Sequence, residues 1–139
     1  MGRGTRRGNV RENPNGTTLD LRFFDPTPGK RNVIESFLAK DLKKRAHACR
    51  DLLKHLAIMQ HSSVATLRAE GKLEFVRGDI LSYRFKVQGG GNLWVRLLCA
   101  TWPSDDALVI LHPLIKKRND LKAGDIDHAD SNLRALRTR

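Results

Sequence analysis

Cysteine, proline and tyrosine are scarce in this chain, which has 139 residues with 2 Cys, 5 Pro and 1 Tyr. Cys49 and Cys99 have no second cysteine nearby, which excludes a zinc knuckle and a CxxC redox pair. We expect both thiols to act as small buried apolar side chains. The low proline content, with 40% hydrophobic and 29% charged residues, excludes the fibrous and wholly disordered classes. The sequence therefore predicts one globular domain with a real core.

Long apolar runs are also missing. The longest, such as residues 107–111, are far shorter than the roughly 20 residues that cross a bilayer. The N-terminus has no apolar segment of the secretory type, and Arg6 stands where a myristoylation motif requires Ser or Thr. We therefore expect a cytoplasmic protein.

Acidic residues are too few to balance the basic ones, since 26 Lys and Arg against 15 Asp and Glu give a net charge of +11. This imbalance makes a polyanion the first partner to consider, and nucleic acid leads. Residues 1–17 are rich in arginine and glycine and hold almost nothing to bury. We predict that residues 1–17 form a flexible basic tail, either an arm on phosphates or a disordered leader, and that the folded domain spans residues 18–139.

The N-terminal half of the domain predicts one strand followed by helices. Residues 19–23 alternate apolar and polar side chains and end at a Pro-Gly turn, which indicates a strand. Asn32 and Glu35 have capping-box spacing, and apolar residues then recur at three- and four-residue steps as far as Leu56. This pattern predicts one long helix or a helical hairpin, and residues 63–70 add a short helix that Gly71 closes.

The C-terminal half predicts antiparallel strands and a last helix. Residues 81–87 and 93–102 flank a glycine-rich turn as a hairpin, and residues 107–111 form a continuous apolar strand covered on both faces. A helical stripe then comprises Ile126, Ala129, Leu133 and Leu136. The predicted class is α+β, with an N-terminal strand, a helix or helical hairpin, an antiparallel sheet of three further strands, and a C-terminal helix.

Catalytic signatures of other classes are missing. The glycines at 89–91 lack a following GK[ST], so we interpret them as a hairpin turn and not as a phosphate loop. The five histidines have no metal-ligand spacing and no GxSxG occurs, which argues against a metal enzyme and a serine hydrolase.

The remaining candidates for a functional site are the basic side chains of the predicted strands. Arg84 and Lys86 share one face of their strand because they are two residues apart, while Tyr83 points to the other face. Strand pairing would add to this face Arg96, His112, Lys116 and Lys117. Such a cluster fits a nucleic-acid backbone, and ordinary solvated sheet positions are the alternative.

Four segments together resemble a known family: ILSYRFK at 80–86, LWVRLL at 93–98, LVILHPLIKK at 108–117 and DIDHA at 125–129. In order and spacing they are similar to the RelE/HigB superfamily of toxin endoribonucleases, particularly its phage-derived HigB-like branch. The similarity follows the element order over residues 19–136 and is specific over about residues 80–130. It implies a small RelE-like (microbial RNase-like) fold and a toxin of a type II toxin-antitoxin system. Such toxins inhibit translation by cutting mRNA, generally on the ribosome, without a metal or other cofactor, and an antitoxin protein neutralises them.

The resemblance also implies a site. By position, Arg84, Lys86, Arg96 and Lys117 match the family's basic residues, and His112, Lys116 and Arg118 lie near them. Cleavage by the neighbouring 2′-hydroxyl requires a base, cations for the developing phosphorane charge, and an acid for the departing 5′-oxygen. We expect Lys86, its pKa lowered by nearby cations, to be the base, Arg96 to hold the phosphate, and Lys117 or His112 to be the acid. Arg84, Lys116 and Arg118 are then expected to bind RNA, which alone carries the attacking hydroxyl.

One departure from the family keeps alternatives open. Many relatives place a Tyr or His in or before the last helix, whereas Tyr83 is the only tyrosine here and His128 is a weak substitute. The chain is therefore a ribonuclease in which His112 supplies the missing group, a slow ribonuclease, or a non-catalytic RNA- or ribosome-binding protein on the same fold. A DNA-binding regulator rests on charge alone, because no helix-turn-helix pattern supports it.

Overall fold

A computed structural model describes residues 19–117 and 120–139. The predicted tail at 1–17 and Arg118 lie outside the described residues. The elements, in chain order, are β1 (Asp20–Phe23), α1 (Val33–Ala39), α2 (Ala46–Gln60), α3 (Val64–Ala69), β2 (Leu73–Arg77), β3 (Ile80–Lys86), β4 (Trp94–Thr101), β5 (Ala107–Lys116) and α4 (Ala123–Arg137). The predicted α+β class is confirmed.

Helices α1 and α3 begin where the sequence indicates. The Asn32 side chain accepts a hydrogen bond from the Glu35 N–H at 2.8 Å, and the Glu35 carboxylate accepts one from the Asn32 N–H at 3.0 Å, which completes the capping box of α1. A turn at residues 40–45 separates α1 from α2, so the alternative of one long helix is wrong. The Ser63 hydroxyl caps α3 by accepting from the Thr66 N–H at 3.1 Å.

The sheet differs from the prediction in two respects. Among the described residues, five strands lie in the order β1-β5-β4-β3-β2, so four strands follow β1 and not three. β2 pairs with β3 through a two-residue turn at Gly78 and Asp79, where Gly78 has φ +58°. β1 runs parallel to β5, and the other pairs are antiparallel, which makes the sheet mixed.

Apolar side chains cover both faces of the sheet. One face packs against α1, α2 and α3 in a cluster that includes Phe37, Leu52 and Leu67. The other face packs against α4 through Ala129, Leu133 and Leu136, three of the four residues of the predicted stripe. Residues 107–111 are all buried, as expected for a strand covered on both faces. Of the two free thiols, Cys99 is fully buried and Cys49 is half-buried.

The described parts of the chain contain no helix that is both long and apolar enough to cross a membrane.

Candidate nucleic-acid interface

The strand register brings the predicted cations to one face of the sheet, the face that α4 also covers. Arg84 on β3 lies directly opposite Arg96 on β4, and Arg96 lies opposite Leu114 on β5. In the next row towards the strand ends, Trp94 lies between Lys86 and Lys116. Directly opposite residues share a face and have Cβ atoms about 5 Å apart. We call the six residues Arg84, Lys86, Trp94, Arg96, Lys116 and His112 the cationic face.

His112 reaches this face because β5 contains a bulge. Leu98 pairs with His112 but Cys99 pairs with Ile110, so Leu111 is an extra residue in β5. Ile110 packs in the cluster under α1 to α3, whereas His112 stacks on His128 of α4. Without the bulge, Ile110 and His112 would share a face, because side chains alternate along a strand. The bulge thus turns His112 towards the cations.

The two arginines lie at the centre of the cationic face. The Arg96 guanidinium donates a hydrogen bond to the buried Ser82 hydroxyl at 3.1 Å. Burial, with the neighbouring Arg84, lowers the pKa of Arg96, although a guanidinium stays cationic at neutral pH. Arg84 pairs with Glu74 of β2 at 3.3 Å, and both of these side chains are about half exposed. Ion pairs so exposed contribute little to stability, so Arg84 can exchange Glu74 for a phosphate at low cost.

Asp125 joins two of the predicted residues. Its carboxylate accepts a hydrogen bond from the Lys116 ammonium at 2.5 Å and lies 3.8 Å from His112 Nε2. Burial alone would raise the pKa of Asp125, but the hydrogen bond and charge of Lys116, with the backbone N–H of Lys122, outweigh this and lower it. Asp125 therefore stays ionised, and its carboxylate lies beside both the Lys116 ammonium and the His112 imidazole.

His128 packs on the other side of His112. The two rings are stacked with centroids 4.3 Å apart and an angle of 19° between their planes. Burial is the largest cause that lowers the pKa of His112, His128 lowers it further, and Asp125 only partly opposes them. His112 is therefore mainly neutral at pH 7, in the form that accepts a proton.

The remaining predicted residues lie farther out. Lys86 is exposed at the end of β3, and its directly opposite neighbour is the Trp94 indole and not a cation. Lys117 follows the last residue of β5 and lines a shallow depression with Lys116, Asp120 and Lys122. Arg118 lies outside the described residues. The register thus unites Arg84, Lys86, Arg96, His112 and Lys116, and leaves Lys117 at the rim.

Tyr83 lies on the opposite face of the sheet, as the alternation predicts. It is 2% exposed, and its hydroxyl is 2.6 Å from His55 Nδ1 on α2. Burial raises the pKa of Tyr83 to about 12 and lowers the pKa of His55. The His55 ring also stacks on Phe85 at 4.1 Å. This pair is part of the packing of α2 on the sheet and does not reach the cationic face.

Sequence reasoning missed Asp125 and Trp94. Asp125 is the third residue of α4, where an acidic side chain favours the helix, so its charge has a local explanation that hides its contact with His112. Trp94 sits on the same strand face as Arg96, two residues away, and this period-two spacing was the available signal. Within residues 19–117 and 120–139, no group of three or more His, Cys, Asp or Glu could hold a metal ion.

Comparison with known protein families finds no family model that matches the chain, and comparison with curated proteins finds no match.

Proposed function

We propose that this protein is a toxin of the RelE/HigB type, an endoribonuclease that cleaves mRNA and that an antitoxin protein neutralises. The single observation that carries the proposal is the register of β3, β4 and β5, which unites Arg84, Arg96, Lys116 and His112 on one face. A surface of this kind can contact several phosphates of one RNA strand, and it adjoins a histidine suited to proton transfer. The resemblance of residues 80–130 to the family supports the same reaction.

In the proposed reaction the RNA supplies its own nucleophile. The 2′-oxygen forms a bond to the adjacent phosphorus, its proton passes to a base, the bond from phosphorus to the 5′-oxygen breaks, and an acid protonates that oxygen. The products are a 2′,3′-cyclic phosphate and a 5′-hydroxyl. The protein has to provide the base, the acid and positive charge for the phosphorane.

The contacts of Asp125 favour a different division of roles from the one expected from sequence. His112 Nε2 and Lys116 Nζ lie 3.8 Å and 2.5 Å from oxygens of the same carboxylate, so the two groups are neighbours, as a base and an acid that act on one phosphodiester have to be. We assign neutral His112 as the base and Lys116 as the acid. Arg96 and Arg84 stabilise the phosphorane charge, because guanidinium groups bind phosphate oxygens in a fixed fork geometry.

Lys86 and Lys117 then bind the phosphates on either side of the scissile one. Lys86 faces Trp94 two residues along the strand from Arg84, and Lys117 follows Lys116 at the end of β5. Both positions continue the line of positive charge beyond the central arginines. Metal-independent cleavage is part of the proposal, and activity retained in excess EDTA is its test.

The first experiment is inducible expression of the chain alone in a bacterium, with primer extension on an abundant message. We expect growth arrest and new 5′ ends inside coding sequence. His112→Ala and Arg96→Ala should abolish both effects, and Lys86→Ala should weaken them, while each variant keeps the circular dichroism spectrum of the parent. Lys43→Ala, an exposed cation in the turn between α1 and α2, is the matched control and should arrest growth normally.

The second candidate is an RNA- or ribosome-binding protein that does not cleave. The burial of Tyr83 behind the sheet favours it, because the only tyrosine of the chain then takes no part in chemistry. Normal growth with intact message, from protein shown to be folded and to bind RNA, would select this candidate and reject the first.

A further inference from the structure

The packing of the core does not explain why the aromatic side chain of Trp94 is present at this position. Among the described residues, Trp102 packs against the apolar cluster under α4, whereas Trp94 packs against neither core cluster. Trp94 is nevertheless half-buried. The side chains that surround it are therefore those of the cationic face and not those of the core.

Three of these neighbours carry positive charge. Lys86 and Lys116 lie directly opposite Trp94 on the two adjacent strands, and the Arg84 guanidinium carbon lies 6.0 Å from the centroid of the indole. A cation at this distance from an indole is attracted by the ring quadrupole. Arg96 is two residues further along β4 on the same face. The indole is thus a flat apolar surface among positively charged side chains.

We propose that Trp94 is a base-stacking platform, and that the ligand of the cationic face is a single-stranded RNA segment with one nucleobase stacked on this indole. Proteins that bind single strands combine cations along the backbone with aromatic side chains under the bases. Bases inside a duplex are already stacked on one another and do not expose a face to such a side chain. This inference rests on the proposed RNA-binding function and specifies which form of RNA the site accepts.

The second tryptophan provides an internal control. Trp102 is 8 residues from Trp94 in the sequence, roughly 26 Å along an extended strand, and its nearby cation is Arg22 at 5.8 Å. Trp102→Phe leaves Trp94 as the only indole, and Trp94→Phe leaves only Trp102. Fluorescence of each variant therefore reports on one end of β4.

The experiment titrates both variants with two uncleavable octamers. One is a 2′-O-methyl oligoadenylate, and the other is an abasic octamer with the same number of phosphates. We expect the oligoadenylate to quench Trp94 to saturation and to leave Trp102 unchanged. The abasic octamer should not quench Trp94, and it should bind about tenfold more weakly, as expected when one stacked base is lost.

Trp94→Ala separates stacking from charge. This variant should lose about tenfold in affinity for the oligoadenylate and bind the abasic octamer as the parent does, with an unchanged circular dichroism spectrum. Trp94→Phe should keep part of the difference, since a phenyl ring also stacks. A hairpin duplex of the same charge should leave Trp94 unquenched.

Different results would overturn the stacking inference and the proposed function. If the parent binds both octamers equally and Trp94 is not quenched, the face recognises phosphates alone; the stacking inference is overturned and the proposed function survives. If the parent binds neither octamer nor natural mRNA, both are overturned.

Discussion

At the scale of single residues, the carboxylate of Asp125 has the largest part in positioning the groups of the proposed reaction. It lies 2.5 Å from the Lys116 ammonium and 3.8 Å from His112 Nε2, so a single side chain orients both proposed proton-transfer groups. Such a residue acts through others and is a positioning residue. Its removal should change the pH dependence of cleavage as well as its rate.

Asp125→Asn should lower the rate of RNA cleavage about tenfold to a hundredfold, because small displacements of catalytic groups have costs of this size. Burial and His128 lower the pKa of His112, whereas Asp125 and Asp41 raise it. Loss of Asp125 therefore lowers this pKa further, so the acid limb of the pH-rate profile, where His112 loses its proton, should move to lower pH.

The measurement is a pH-rate profile on one RNA substrate. Asp127→Asn is the control, because Asp127 lies on the same helix, is exposed and pairs with Arg77. An acid limb that stays in place in Asp125→Asn would exclude His112 as the base.

A second prediction at this scale concerns Tyr83. Tyr83→Phe removes the hydroxyl 2.6 Å from His55 Nδ1 and should lower the free energy of unfolding by about 1 kcal/mol. Cleavage should remain unchanged, since Tyr83 lies on the face opposite the cations. Urea unfolding measures the first effect and an RNA cleavage assay the second. Loss of cleavage in a stable Tyr83→Phe variant would give the tyrosine a role that its burial argues against.

At the scale of elements, hydrogen bonds connect α2 to the turn between β3 and β4. Asp51, which is 4% exposed, accepts a hydrogen bond from the Gln88 N–H at 2.7 Å, and Arg50 donates to the Gln88 carbonyl at 2.9 Å. Burial would raise the pKa of Asp51, but the bonds from Gln88 and Arg50 outweigh it and lower this pKa. The contact fixes the end of β3 that carries Lys86.

Asp51→Ala should therefore lower the free energy of unfolding by about 2 kcal/mol, because it leaves the Gln88 N–H without its charged acceptor. The comparison is Asp79→Ala, which breaks an exposed pair with Arg137 and should cost less than about 1 kcal/mol. Denaturant unfolding of both variants tests the difference. Equal losses would show that the buried contact is worth no more than the exposed one.

At the scale of the whole molecule, the net charge of +11 predicts that the proposed binding of RNA depends strongly on salt concentration. If several phosphates are bound, the logarithm of the RNA association constant should fall linearly with the logarithm of salt concentration, since each phosphate neutralised in a single strand releases about 0.7 counterion. Lys86→Ala should reduce this slope by roughly one phosphate's share, and Lys43→Ala should not. A flat salt response would reject the cationic face as the binding surface.

Much of this molecule follows from short-range patterns. Period-two alternation determined that Arg84 and Lys86 share a face and that Tyr83 points away, because the direction of a side chain in a strand depends only on its position. The capping box of Asn32 and Glu35 and the α4 stripe are equally local. The edge strand β2 was not predicted, although Gly78-Asp79 is a hairpin signal. β2 has only five residues, and the apolar Phe75 is exposed, so buried and exposed side chains do not alternate clearly along it.

The arrangement of the site depends on contacts between distant residues. The composition and the motifs indicate a basic surface, but the bulge at Leu111 is what turns His112 onto the cationic face, and the packing of α4 on β5 is what brings Asp125 and His128 to it. The position of a bulge and the position of a helix both depend on long-range packing. A bulge adds one residue to a strand and so reverses the face of every later side chain on it. For this reason the cations and His112 could be named from the sequence, whereas the Asp125 carboxylate that contacts both Lys116 and His112 could be identified only in the folded chain.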